Sequence, residues 1–87
     1  MVVTRKDILR AVRETLGGAL VEAETYGDDN VGLTVLWDGF AGMDDAVRQA
    51  TVREAVAYRF GADAARQVTF IIAWTTAEKK QFDIDRL

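Results

Sequence analysis

Acid–base chemistry in this chain would have to come from its paired acids: Asp28-Asp29, Asp44-Asp45, and Asp83 with Asp85. The sequence contains no histidine, cysteine or serine. That removes imidazole bases, thiolate nucleophiles, serine-type and cysteine-type triads, and sulfur or imidazole metal ligands. Each acid pair falls where acids serve the backbone: a turn, a helix start and a tail. Neighbouring acids do not by themselves supply the separation and pKa contrast that acid–base work needs. A small carboxylate enzyme would also require a deep polar cleft with two converging acids. No Gly-x-x-x-x-Gly-Lys phosphate loop is present. Nothing in the residues asks for a metal or a cofactor, and the expectation is a non-enzyme.

The cations suggest a different use. Lys6, Arg10 and Arg13 recur at i, i+4 and i+7, which places them on one helical face, with Arg5 beside them. Such a stripe suits a phosphate backbone, although Asp7 and Glu14 balance it as an ordinary solvated face. It serves nucleic acid only if it joins Arg48, Arg53 or Lys79-Lys80 in space. Gly39-Phe40-Ala41-Gly42 spells Gly-x-x-Gly, the loop with which KH domains clamp a nucleic-acid backbone. Here it carries a large apolar residue between Asp38, Asp44 and Asp45, whose charges repel phosphate. A corner turn explains it better.

The elements that must position these residues follow from periodicity. Thr4 as N-cap and Asp7 as its reciprocal partner open a helix over Arg5 to Leu16, with Ile8, Leu9, Val12 and Leu16 at helical spacing. Gly17-Gly18 ends it. Ala19 to Tyr26 alternates as a strand, with Glu22 and Glu24 on its wet face. Gly27-Asp28-Asp29-Asn30 is a turn, and Val31 to Trp37 is the antiparallel return strand. Asp38 to Gly42 turns a corner into a second helix, capped by Asp44 and ending at Phe60-Gly61. Asp63 is expected to cap a further short turn through Ala65. Val68 to Thr75 forms a third strand, with Phe70, Ile72 and Trp74 on one face and Ile71 and Ala73 on the other. Its apolar character on both faces predicts a central or well-covered strand. Thr76-Ala77-Glu78 starts a terminal helix anchored by Phe82. The second helix is long enough for a crossover, so strands two and three need not be antiparallel.

Phe40, Gly42, Arg48 and Val52 stand at the spacing of the BolA-like family, whose members typically show Phe-x-Gly, an Arg-His pair and then an apolar residue. This chain resembles that family over most of its length, with Gln49 where the His is usual. Gln67 falls at a second usual His, before the last strand, and Thr76 falls where that family often has Pro. The resemblance implies a class II KH-like, α+β fold: a three-stranded mixed sheet with helices on one face, in the order α-β-β-α-(short α)-β, plus a C-terminal helix. It also implies a monothiol glutaredoxin-like partner and a [2Fe–2S] cluster held by His or by a Cys of the hairpin loop. Neither residue type exists here. The loop offers Asp28, Asp29 and Asn30, hard oxygen donors poorly matched to such a cluster. Phe40, Gly42 and Val52 read as structure: a core plug, a turn and a packing residue. Arg48 reads either as a partner of Asp44, one turn back, or as a guanidinium offered to another protein.

An 87-residue chain is long enough for one modest core, and residues 1–87 are expected to form a single domain. Its 49% hydrophobic and 29% charged residues are ordinary for a globular protein. The net charge of −3 argues against a dedicated nucleic-acid binder. No signal-peptide core follows the first residues, and the apolar run Phe70 to Trp74 is too short to cross a membrane. The expectation is a cytoplasmic, non-enzymatic interaction or regulatory domain. Its contact face would lie around the second helix start and the beginning of the third strand, through Arg48, Gln49 and Gln67. The partner would be a glutaredoxin-like protein or a second copy. The alternative is a KH-like nucleic-acid module that uses Lys6, Arg10 and Arg13.

Overall fold

A computed structural model describes residues 3–27 and 30–86, so the expected acidic pair Asp28-Asp29 lies outside the described residues. The first helix, α1, spans Arg5–Thr15. Thr4 Oγ1 accepts the Asp7 N–H at 3.2 Å, and the Asp7 carboxylate accepts the Thr4 N–H at 3.0 Å. This reciprocal cap satisfies two backbone donors that the helix itself leaves unpaired. It also holds the Asp7 carboxyl below its usual range.

Strands β1, Leu20–Tyr26, and β2, Asn30–Leu36, pair antiparallel with Ala23 opposite Leu33. The chain then turns through a single 3₁₀ turn, Asp38–Phe40, and through Gly42 at φ +82°. That region of backbone space is costly for any residue with a Cβ. Phe40 is fully buried and meets the Trp37 ring edge-on at 5.2 Å. Helix α2, Asp45–Phe60, starts on Asp44, whose carboxylate accepts the Val47 N–H at 2.9 Å. Val52 and Val56, one turn apart, bury completely against the sheet. The short helix α3, Ala62–Arg66, begins directly at Gly61. Asp63 is therefore not its cap: one glycine at φ +90° both ends α2 and starts α3, so Asp63 falls in the first turn and pairs with Arg66.

Strand β3, Val68–Trp74, runs parallel to β2, and helix α4, Thr76–Asp85, closes the described chain. The sheet order is β1-β2-β3. Helices α1, α2 and α3 bury Ile8, Val12, Val52, Val56 and Ala64 against Leu33, Val35 and Ile71 on one face. Helix α4 instead brings Phe82 to Trp74, ring centroids 5.0 Å apart.

β3 differs from the sequence expectation. It is an edge strand, and β2 is the central one. Phe70 and Ile72 on its outer face are 40% and 41% exposed. The α2–α3 crossover delivers β3 to the side of β2 that β1 does not occupy. The apolar residues of the outer face then serve ring contacts: Phe70 meets Tyr26 of β1 at 5.2 Å, across Gly32 of β2. A side chain on Gly32 would collide with both rings. The register also shifts, since Val31 pairs with Val68 but Gly32 pairs with Phe70. Thr69 is the extra residue of a bulge, which lets Val68 and Ile71 both face the core despite their odd spacing.

Candidate functional site

Helix α2 runs antiparallel to β3 along its free edge. Gln49 Nε2 donates to the Ile71 carbonyl at 2.7 Å, and Arg48 Nη1 donates to the Ala73 carbonyl at 3.2 Å. Arg53 Nη1 donates to the carbonyls of Val68 at 2.7 Å and Ala65 at 3.2 Å. The Trp74 carbonyl accepts the Trp37 N–H at 2.9 Å, so Trp74 faces β2. By alternation Ile71 and Ala73 turn their carbonyls away from the sheet. These are the groups that an edge strand leaves open to another chain. Three side chains from one helix flank fill them.

Arg48 is the centre of this seal. Its Nε donates to the Met43 carbonyl at 3.0 Å, and its guanidinium makes two bonds to Glu78, at 2.6 and 3.0 Å. It lies 5.7 Å from the Phe40 ring centroid, and its side chain is 12% exposed. The expected pairing with Asp44 does not form, because the Asp44 carboxylate is occupied by the α2 cap. Glu78 has two duties: Oε1 also accepts the Thr75 N–H at 2.8 Å and so completes the α4 cap. The Arg48 bonds first, and the Thr75 backbone second, draw the Glu78 pKa down from 4.5 to about 2. The same pair raises the pKa of Arg48.

Gln67 sits at the other end of β3. Its N–H donates to Ala64 at 3.1 Å, and its carbonyl accepts from Val31 at 2.8 Å. Its half-buried side chain borders a groove of about 380 Å³ with Phe60 and Asp63. The strand from Gln67 to Ala73 spans roughly 20 Å. The α2 start therefore lies beside the end of β3, not its beginning, since a crossover helix must run back before a parallel strand can start. Arg48 and Gln49 form one site and Gln67 another. Arg53 and Glu78 belong to the first, and sequence reasoning did not place them there. The signal for Arg53 is its spacing with Arg48 and Gln49 on one helix flank. Thr76-Ala77-Glu78 was legible as a helix start, but neither the Thr75 cap nor the ion pair was.

Lys6, Arg10 and Arg13 are exposed along α1 and border a groove of about 480 Å³ with Leu9. Arg13 also shares a groove with Lys79, Leu20, Glu22 and Leu36. Glu14 beside the stripe is paired with Arg59 at 2.6 Å, and Arg48 and Arg53 are committed to the β3 edge. The Gly39–Gly42 stretch is the corner itself, with Phe40 turned into the core. Within the described acid pairs, Asp44 caps α2, Asp83 binds Lys79 at 2.5 Å, and Asp85 accepts from Gln81 at 2.9 Å.

Solved structures that share this architecture include the following two. A BolA protein homologue from Coxiella burnetii superposes with a TM-score of 0.69 at 24% identity, covering 90% of this chain and 97% of its own. A Bol-like protein from Babesia bovis gives 0.63 at 17% identity, covering 95% and 96%. The fold is BolA-like. No family model matches the chain, and no curated protein matches it. The [2Fe–2S] cluster implied by the BolA-like resemblance does not fit these residues. No imidazole or thiolate exists to bind it. The Gln49 amide, where the resemblance puts a His, is spent on the Ile71 carbonyl. Among the described residues no group of three acids is placed to hold a metal ion, and no helix is long and apolar enough to cross a membrane.

Proposed function

We propose that this chain is a cytoplasmic, non-enzymatic BolA-like interaction or regulatory domain that works without His or Cys ligation of an iron–sulfur cluster. The observation that carries this reading is Gln49: on a BolA-like fold, at one of the two positions where the resemblance puts a His, stands a structural amide that donates to the Ile71 carbonyl. Shape and surface charge are then left as the means of recognition. The partner class is a monothiol glutaredoxin-like protein, contacted without ligation, and a second copy of the chain is the other candidate. Gln67 is the contact residue that keeps a half-exposed side chain at a groove. Arg48 and Gln49 would contribute by fixing the α2 flank rather than by reaching outward.

The test is a titration of cluster-loaded monothiol glutaredoxin into the chain, followed by amide NMR shifts and by the visible absorption of the cluster. Binding with an unchanged cluster spectrum is the expected result. A spectrum altered on binding would overturn ligand-free contact, and no shifts at all would remove the glutaredoxin partner. Light scattering tests the second copy.

The nucleic-acid reading retains one favourable observation, that Arg13 of the Lys6/Arg10/Arg13 stripe and Lys79 border one groove. Binding of single-stranded RNA that falls steeply with salt would support it, because phosphate contacts release counterions. No binding at low salt would end it.

A further inference from the structure

The edge formed by β1 has no counterpart to the seal on β3. Among the described residues, no side chain is hydrogen-bonded to the backbone of Leu20–Tyr26; the Tyr26 hydroxyl donates to the Glu24 carboxylate instead, at 2.6 Å. The N–H groups of Val31 and Trp37 point to β3. Asn30, Gly32, Thr34 and Leu36 therefore face β1, opposite Tyr26, Glu24, Glu22 and Leu20. By alternation Val21, Ala23 and Thr25 turn their N–H and C=O groups out of the sheet. An added strand finds donors and acceptors there at every second residue.

Charge selects what can be added. Glu22 and Glu24 are exposed on the outer face of the strand, and Arg13 and Lys79 border the groove at its Leu20–Glu22 end. A second copy paired antiparallel about Ala23 would set each Glu22 directly against the other copy's Glu24. Like charges in that position are destabilising, whereas opposite charges are stabilising. A strand with Lys or Arg at those places turns both contacts attractive. Its cationic ends also reach a shallow groove of about 180 Å³ lined by Glu22, Glu24, Tyr26 and Phe70, where ring faces add to the attraction. Its intervening side chains fall beside Val21 and Ala23, which are half-buried, and this favours small apolar residues.

We propose that the free edge of β1 docks an extended segment of a partner protein, with Lys or Arg at alternate positions and small apolar residues between them. The inference rests on reading the chain as an interaction domain, and it names the surface and the chemistry of the partner.

The test uses the full chain and a blocked peptide, Thr-Lys-Val-Lys-Val-Lys-Thr, against the same peptide with Glu in place of Lys. Amide hydrogen exchange and NMR titration give the readout. The lysine peptide should slow exchange at Val21, Ala23 and Thr25, and its binding should weaken with salt. The double variant E22K/E24K should lose about tenfold in affinity for it and gain affinity for the glutamate peptide. Both positions are exposed, so the fold should survive the change. Equal binding of the two peptides, protection at β3 instead of β1, or no binding at millimolar peptide would overturn the proposal. A dimer that protects the same amides without peptide would overturn the choice of occupant. A glutaredoxin-like partner that binds wild type and E22K/E24K equally, with these amides exchanging freely, would overturn the docking edge while leaving the interaction-domain reading in place.

Discussion

β3 and β1 are the two edges of one three-stranded sheet, and the molecule finishes them in opposite ways. Along β3, Gln49, Arg48 and Arg53 occupy the carbonyls of Ile71, Ala73 and Val68. Along β1 the exposed side chains include two acids, Glu22 and Glu24, beside Leu20, Thr25 and Tyr26, and no side chain bonds its backbone among the described residues. Connectivity explains the difference. A crossover helix between parallel strands has to return alongside the strand it precedes, so the flank of α2 is in reach of β3. Helix α1 joins β1 through a tight Gly17-Gly18 turn and holds Lys6, Arg10 and Arg13 toward solvent. The outward carbonyls of β3 are already taken by side-chain donors, while the proposed docking edge of β1 keeps its backbone open beside two acids that favour a basic strand over a like-charged one.

The largest expected effect comes from breaking the sealed edge. Arg48→Met removes the donor to the Met43 and Ala73 carbonyls together with the Glu78 pair. It should cost about 2–3 kcal/mol in urea unfolding, the range for charged hydrogen bonds lost from half-buried sites. Amide exchange should quicken at β3 and stay unchanged at β1; equal change at both edges would show that they are not independent.

Acid should weaken the same edge. The folded Glu78 pKa of about 2 lies below its usual 4.5. The folded state thus holds this proton less tightly than the unfolded chain does, and unfolding takes up protons at low pH. The stabilisation is complete above about 4.5 and is lost as pH falls toward about 2. Glu78→Gln should flatten thermal unfolding curves across that window, leaving a small slope of the same sign from Asp7, whose carboxyl is also lowered. An unchanged slope in the variant would place the acid sensitivity elsewhere.

Gln49→Met keeps the side-chain volume but leaves the Ile71 carbonyl without its donor. About 1 kcal/mol should be lost in the same denaturant assay, with faster exchange at β3. A smaller loss would mean that water replaces the amide. The least effect on stability belongs to the open edge: E22Q/E24Q should change it by no more than about 0.5 kcal/mol. Light scattering should nevertheless detect more self-association than in wild type, because the like-charge barrier to β1–β1 pairing is gone. A strictly monomeric variant would argue that the acids do not guard this edge.

Much of this was legible in the residues. Thr4 with Asp7, and Asp44 before Val47, sit within one helical turn, so those two caps could be read directly; Thr75 was read as the end of the third strand, and the structure makes it the cap of α4 through Glu78. Phe40 and Gly42 announced the corner. Asp63 misled, because a glycine that both ends and starts a helix leaves no room for a separate cap. The apolar face of Phe70, Ile72 and Trp74 misled further. It resembles buried strand, yet Phe70 and Trp74 are used in ring contacts on an edge, and the Thr69 bulge that turns Val68 to the side of Ile71 leaves no pattern in the sequence. Arg48 was singled out but given a neighbour in sequence; its partner is on another helix.

The sequence by itself determined what is local: the order of elements, their caps and turns, and, through its lack of His and Cys, the absence of imidazole and thiolate chemistry. Those properties depend on composition or on contacts within one turn of chain. Tertiary structure alone decided which strand lies at the edge, which carbonyls Arg48, Gln49 and Arg53 complete, and where Glu22 and Glu24 stand beside an open backbone. Strand order and register are set by packing between segments far apart in the chain, and no periodicity along the sequence carries that information.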